Sequence, residues 1–208
     1  MKSGLGIALG ALAYFGAVRL TVGSDPLVGA WAGGAAVPEL LGVQPWRLLS
    51  APWLHVELAH LGVNAALTAM LAWRLEPVAG GRAVLSAFVL GGLAGALASV
   101  IFVGAWSLGA SGGVYGLLGL AARVAWARDP RVSALVIGLA VALDLTGSTD
   151  HAAHLAGLAL GMAPISLPWA LSLASPALGL AGALWLHLTP APLVEGVALP
   201  LCPTSMTD

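Results

Sequence analysis

The chain has very little charge. Of its 208 residues only 8% are Asp, Glu, Lys or Arg, against about 25% in a soluble domain, so a water-facing coat cannot be built from it. Eight basic and nine acidic residues leave a net charge of −1, which says nothing about nucleic acid, and no basic cluster argues for such a partner. Cysteine is scarcer still: Cys202 stands alone, so an internal disulfide and a Cys-based zinc site are both excluded. What remains is apolar. Hydrophobic residues make up 59% of the chain and its mean hydropathy is +0.96, a composition that takes the bilayer as its solvent.

A span of the hydrocarbon core takes about 20 residues, which leaves room here for about six or seven. Apolar stretches fall at 4–22, 54–73, 83–103, 111–127, 132–147 and 151–173. Each is expected to be helical, because a lone segment in lipid must satisfy its own backbone hydrogen bonds. The expected fold is therefore all-α: a polytopic membrane bundle of six spans within residues 1–173, followed by 174–208 with a short seventh candidate and a tail. The candidate, 176–189, opens at Pro176 and closes before Pro190 and Pro192. Pro164 and Pro168 are expected to kink or end the sixth helix. Lys2 and the apolar run to Val22 resemble a signal peptide, but the run exceeds the usual length and reads as a retained first helix. The connection 23–53 carries Trp31, Trp46 and Trp53 among four prolines, and belongs at the membrane interface.

With the N-terminus in the cytoplasm, Lys2, Arg74, Arg82, Arg123, Arg128 and Arg131 fall on the inner side and only Arg19 and Arg47 on the outer. That is the positive-inside bias. The links before the fourth and sixth spans then face outward.

Two of those outward ends carry chemistry. Gly109-Ala110-Ser111-Gly112 opens the fourth span. One reading is a helix start capped by Ser111. The other is a nucleophile at a helix N-terminus, where free N–H groups and the helix dipole stabilise developing negative charge. Ala153-His154-Leu155-Ala156-Gly157 lies in the sixth span. An ionisable residue inside a span is costly and marks function by default, the alternative being a histidine bonded to a neighbouring helix. Ala153, Gly157 and Gly161 form one small-residue stripe, and Gly112, Gly116 and Gly119 a comparable face. Such helices approach closely enough for His154 to reach Ser111, and a serine needs that base to react at neutral pH.

The second span adds His55, His60 and Asn64. His60 and Asn64 are four apart and share a helix face, where both are suitable oxyanion donors beside the Ser111 amide. His55 lies at the helix start and is also read as an anchor for the preceding loop. The five-residue step from His55 to His60 does not stack the rings, and no carboxylate completes a set, so no metal is expected. Serine hydrolysis needs no cofactor, and none is implied.

Trp46-Arg47, His55, His60 with Asn64, Gly109-Ala110-Ser111-Gly112 with Tyr115 beyond it, and Ala153-His154-Leu155-Ala156-Gly157 stand in the order found in rhomboid proteases. The chain resembles that family from the first loop through the sixth span. The resemblance implies a Ser111–His154 dyad without a required aspartate, with His60, Asn64 and the Ser111 amide holding the oxyanion. Tyr115, one turn below Ser111, is placed to pack against the His154 ring. Gly109, Gly112 and His55 support the site, while Glu76 and Trp46-Arg47 match structural positions. Asp150, one turn before His154, is weighed as a triad acid and read instead as a loop end or helix cap. Asp144 is expected at the interface, His151 in a loop, and His187 as an isolated interfacial residue. Ser107 lacks the glycine setting.

The chain shows neither the cytoplasmic domain nor the mitochondrial-type extension of fuller members, and its links after the fourth and fifth spans are very short. Small size and minimal loops associate it with a prokaryotic plasma (inner) membrane. The expected function is hydrolysis of a peptide bond in or beside the transmembrane segment of a protein substrate, near its outer end. A rhomboid that removes C-terminal sorting helices of exported proteins fits the same residues. Two other classes compete: an inactive rhomboid-like protein that binds membrane clients, and a transporter whose intramembrane His and Asn line a pathway. Loss of Ser111 separates them, since only the protease depends on it.

Overall fold

In lipid, the helices that touch are those whose facing residues are smallest. The computed structural model describes residues 2–147, 150–168, 171, 174–179 and 181–182. Its main elements are α1 (Lys2–Val22), α2 (Pro26–Ala32), α3 (Arg47–Ser50), α4 (Leu58–Ala79), α5 (Gly81–Ala98, continued by a π turn to Val103), α6 (Ser111–Trp126), α7 (Pro130–Gly147) and α8 (His151–Met162). Among the described residues the only strand-like pairing is a bridge between Ala36 and Ser107. The fold is all-α.

Helices α1 and α4–α8 follow the six apolar stretches in order. By length and apolarity, however, two described helices suffice to cross a membrane alone: Lys2–Val22 and Gly81–Val103. Arg47–Trp53 with Leu58–Ala79 makes a third if the pair, bent by 88°, is one span. Helices α6 and α8, at 16 and 12 residues, are shorter than the ~20 residues of a full crossing. Two boundaries also differ from expectation. The second stretch turns helical at Leu58 rather than at residue 54, leaving His55 in a linking segment. The sixth stops at Met162, because Ala163 adopts φ −68° and ψ 142° before Pro164, the extended geometry that a following proline demands. Arg123 then donates to the Ala163 carbonyl at 2.8 Å, and Arg82 to that of Leu167 at 2.8 Å, holding the exit segment. Most of the seventh candidate, and the tail with His187 and Cys202, lie outside the described residues.

Helix α5 is the hub. In its most apolar window 72% of residues are buried inside the protein, against 22% for α1, which turns Leu5, Leu9 and Leu12 outward. Glycines seat α6 and α8 against it. A Cβ on Gly95 would lie 2.9 Å from the Ala153 carbonyl oxygen, and one on Gly91 2.8 Å from that of Gly112. Between α6 and α8 the seam is tighter still. A Cβ on Gly157 would overlap the Gly112 carbonyl, and one on Gly161 the Gly116 carbonyl. The two stripes expected from sequence are thus one interface.

The 23–53 connection is structured by Arg47, whose side chain is fully buried. It donates to the carbonyls of Trp31 and Ala35 at 2.9 and 3.0 Å and to Gln44 Oε1 at 2.6 Å, with its guanidinium over the Trp31 and Trp46 rings. Those bonds hold the loop in which Ala36 pairs with Ser107, in the segment leading to α6.

Candidate active site

Ser111 is the first residue of α6, with Ala110 as its N-cap and no side chain capping the end. The capping role considered for Ser111 is therefore not the one it plays, and the first-turn amides have no intrahelical acceptor. Gly109 makes the approach possible. It holds φ +106°, a conformation that residues with a Cβ rarely adopt. The His60 ring packs over it, with Cε1 2.7 Å from where a Cβ would stand.

His55 fixes the same loop. Its Nδ1 lies 3.2 Å from the Trp53 carbonyl, and the Ala110 N–H donates to its Nε2 at 3.2 Å. A carbonyl can only accept, so Nδ1 carries the hydrogen and Nε2 the lone pair: the ring is neutral in one tautomer. Burial, then the neighbouring His60, push its pKa down to about 4 against the opposing pull of the Trp53 carbonyl. The two rings meet edge to face at 5.0 Å. His55 thus anchors the loop preceding α4, through Trp53, to the loop leading into Ser111, through Ala110.

His154 sits in the first turns of α8, held by two side chains that are themselves fixed. The Tyr115 ring stacks on it at 4.1 Å and 8° between planes, and the Tyr115 hydroxyl donates to the Ala140 carbonyl of α7 at 3.3 Å. Its Nδ1 lies 2.7 Å from Asp144 Oδ1, and Asp144 Oδ2 lies 2.7 Å from the Nδ1 of His151. Asp144, expected at the membrane interface, is turned into the protein and is 2% exposed. Ser133, Ile137, Ala140 and Asp144 recur every three or four residues, so they share the inward stripe of α7. An ionisable side chain on that stripe was the signal available in sequence. His151 opens α8 rather than lying in a loop, and Asp150 is its N-cap, accepting from the Ala153 amide at 3.0 Å.

Ser111, His154, His60, Gly109 and Gly112 line a single cavity of about 360 Å³, with Ser107 and Asp150 at its wall. Since α6 and α8 both begin here, the two first turns point at the same space. Asn64 does not line it. Buried one turn below His60, it donates Nδ2 to the His60 carbonyl at 3.0 Å, which leaves one amide hydrogen for other use. Ser107 is engaged through its backbone with Ala36. Among the described residues no group of three His, Cys, Asp or Glu is arranged to hold a metal.

Comparison with known proteins bears on this arrangement. Residues 42–172 match the family model described as Rhomboid domain. RHOMBOID-like protein 4 of Arabidopsis thaliana is 32% identical over 140 residues, 62% of this chain and 36% of that protein. Rhomboid-like protease 2 of Toxoplasma gondii is 30% identical over 142 residues, 62% of this chain and 50% of its own length. Rhomboid protease GluP of Bacillus subtilis is 29% identical over 134 residues, 59% of this chain and 26% of that protein. The matched region thus spans half or less of each of these relatives.

Proposed function

The chain belongs to the rhomboid family, and from that premise we propose that it is an intramembrane serine endopeptidase acting through Ser111 and His154. The observation that carries this reading is the shared cavity at the starts of α6 and α8, lined by both residues, with the His154 ring held by Tyr115. Ser111 Oγ attacks the scissile carbonyl carbon and passes its proton to His154 Nε2. The oxyanion forms beside the amides of the first turn of α6 and beside His60. Collapse expels the amine, which takes the proton from His154. Water then attacks the acyl-enzyme with His154 again as base, and Ser111 is regenerated.

The substrates are transmembrane protein segments whose helices are open near their outer end, since a peptide carbonyl inside an intact helix is shielded by its own hydrogen bonds. Under this proposal α1 and α4–α8 cross the plasma membrane of a prokaryote as six spans, N-terminus inside, as the Lys and Arg placement favours. The site then faces outward, where water reaches it. The test is cleavage of a transmembrane substrate in liposomes by wild type, Ser111→Ala and His154→Ala. Product from wild type alone is expected. Equal product from all three removes the proposal.

A further inference from the structure

We infer that Asp144 is a positioning residue for His154, so that the centre works as a Ser111–His154–Asp144 relay with His151 fixing the carboxylate. The inference rests on the protease reading and adds an acid to a centre in which the resemblance requires none. Both carboxylate oxygens are committed at 2.7 Å, one to each histidine Nδ1. The Asp144 side chain is 3% exposed and that of His154 12%, whereas His151 is 52% exposed. One oxygen is therefore bonded toward the cavity and the other toward the rim.

Chemistry makes a carboxylate here more than a tether between α7 and α8. An amide or hydroxyl oxygen would accept the same Nδ1–H with a far smaller desolvation cost than an anion inside a span. What the anion adds is negative charge at Nδ1, and that charge matters only once the ring has taken a second proton. It holds the tautomer with Nε2 free to receive the Ser111 proton, and it stabilises the imidazolium that results. The carboxylate does not itself accept the proton. His151 stops it from rotating away from His154, and the Tyr115 stack fixes the plane of the ring, so the Nδ1 bond aims Nε2.

The groups facing His154 are Asp144 from α7, Ser111 and Tyr115 from α6, His60 from α4, and His151 with Asp150 at its own helix start. The experiment uses the full chain in liposomes, comparing wild type with Asp144→Asn and Asp144→Glu. It reads kcat, KM, the rate at which a fluorophosphonate labels Ser111, and the melting temperature.

For Asp144→Asn, kcat and the labelling rate are expected to fall about 10²- to 10⁴-fold while KM stays within about threefold. Asp144→Glu recovers part of the loss. A purely structural tether predicts the reverse, a lower melting temperature with kcat and labelling rate unchanged, and that result overturns the inference. If Asp144→Asn does not fold, Asp144→Ser, which keeps an acceptor oxygen without the charge, is read in its place, and wild-type kcat and labelling rate in it overturn the inference equally. A wild type that neither cleaves nor labels at Ser111 overturns the protease reading and the relay with it; labelling that is equal in wild type and Asp144→Asn overturns the relay alone.

Discussion

Replacing Gly157 by alanine adds one methyl group where the structure has no room. Gly157 lies one turn beyond His154 on α8, and Gly112 follows Ser111 on α6. A Cβ at Gly157 would overlap the Gly112 carbonyl oxygen and come within 3.0 Å of its carbon and 3.3 Å of the Gly112 Cα. Every atom it meets is backbone, so no rotamer change relieves the clash. The helices must part by on the order of 1 Å to restore van der Waals contact. Overpacking of this kind costs about 1–3 kcal/mol, offset by at most about 1 kcal/mol from the better helix propensity of alanine. A net loss of about 1–2 kcal/mol lowers the melting temperature by several degrees in a chain of this size. The effect on activity is larger than the effect on stability. A displacement near 1 Å between nucleophile and base costs roughly 10²-fold in rate.

The assay pairs liposome cleavage with thermal unfolding in detergent. Gly138→Ala on α7 is the control, since nothing lies within 4 Å of a Cβ there; it is expected to gain about 0.5–1 kcal/mol with activity unchanged. Gly161→Ala, one turn further from the site, meets the Gly116 carbonyl and should lose comparable stability with a smaller loss of rate. If Gly157→Ala behaves like Gly138→Ala in both measurements, the seam does not set the Ser111–His154 geometry and the reasoning fails.

Three other outcomes follow from the site. Gly109→Ala must hold φ +106° with a methyl 2.7 Å from His60 Cε1, which costs about 1–3 kcal/mol and reduces turnover; wild-type turnover would show that the loop is not strained as described. His55 has a folded pKa near 4 against an ordinary value of about 6.5, so its contribution is complete above pH 6.5 and is lost as pH falls toward 4, by about 1.4 kcal/mol per unit and about 3 kcal/mol in all. Melting temperatures recorded from pH 7.5 to 4.5 should show that fall in wild type, and a shallower one in His55→Gln. Tyr115→Phe keeps the stack but loses the bond to the Ala140 carbonyl, and its kcat should stay within about tenfold of wild type. Tyr115→Ala removes the stack at 4.1 Å and should lose much more; equal kcat in both variants counts against a role for the ring.

Much of this architecture is a local property of the chain. Scarce charge and long apolar runs require helices in lipid, because neither feature depends on how the helices meet. The stripes at Gly112–Gly119 and Ala153–Gly161 were legible for the same reason: small residues at a four-residue step lie on one face wherever the helix goes. Asn64 shows the limit of that rule. It shares a face with His60 as its spacing requires, yet its amide turns back to the His60 carbonyl and it stays outside the cavity. Spacing gives the face, not the hydrogen-bond partner.

Asp144 marks the boundary most clearly. Its position near the C-terminal end of an apolar stretch sets its depth, and depth alone suggests an interfacial residue. Whether it faces lipid or protein depends on the rotation of α7 against α6 and α8, which is settled by packing at Ala140 and by the stack of Tyr115 on His154. The sequence by itself determined that this is a helical membrane protein with a serine and a histidine at the starts of two apolar stretches, since composition and period are carried residue by residue. Only the tertiary structure decided that both line one cavity and that a buried carboxylate stands behind the histidine, because helix rotation and approach are properties of the interface between segments distant in sequence.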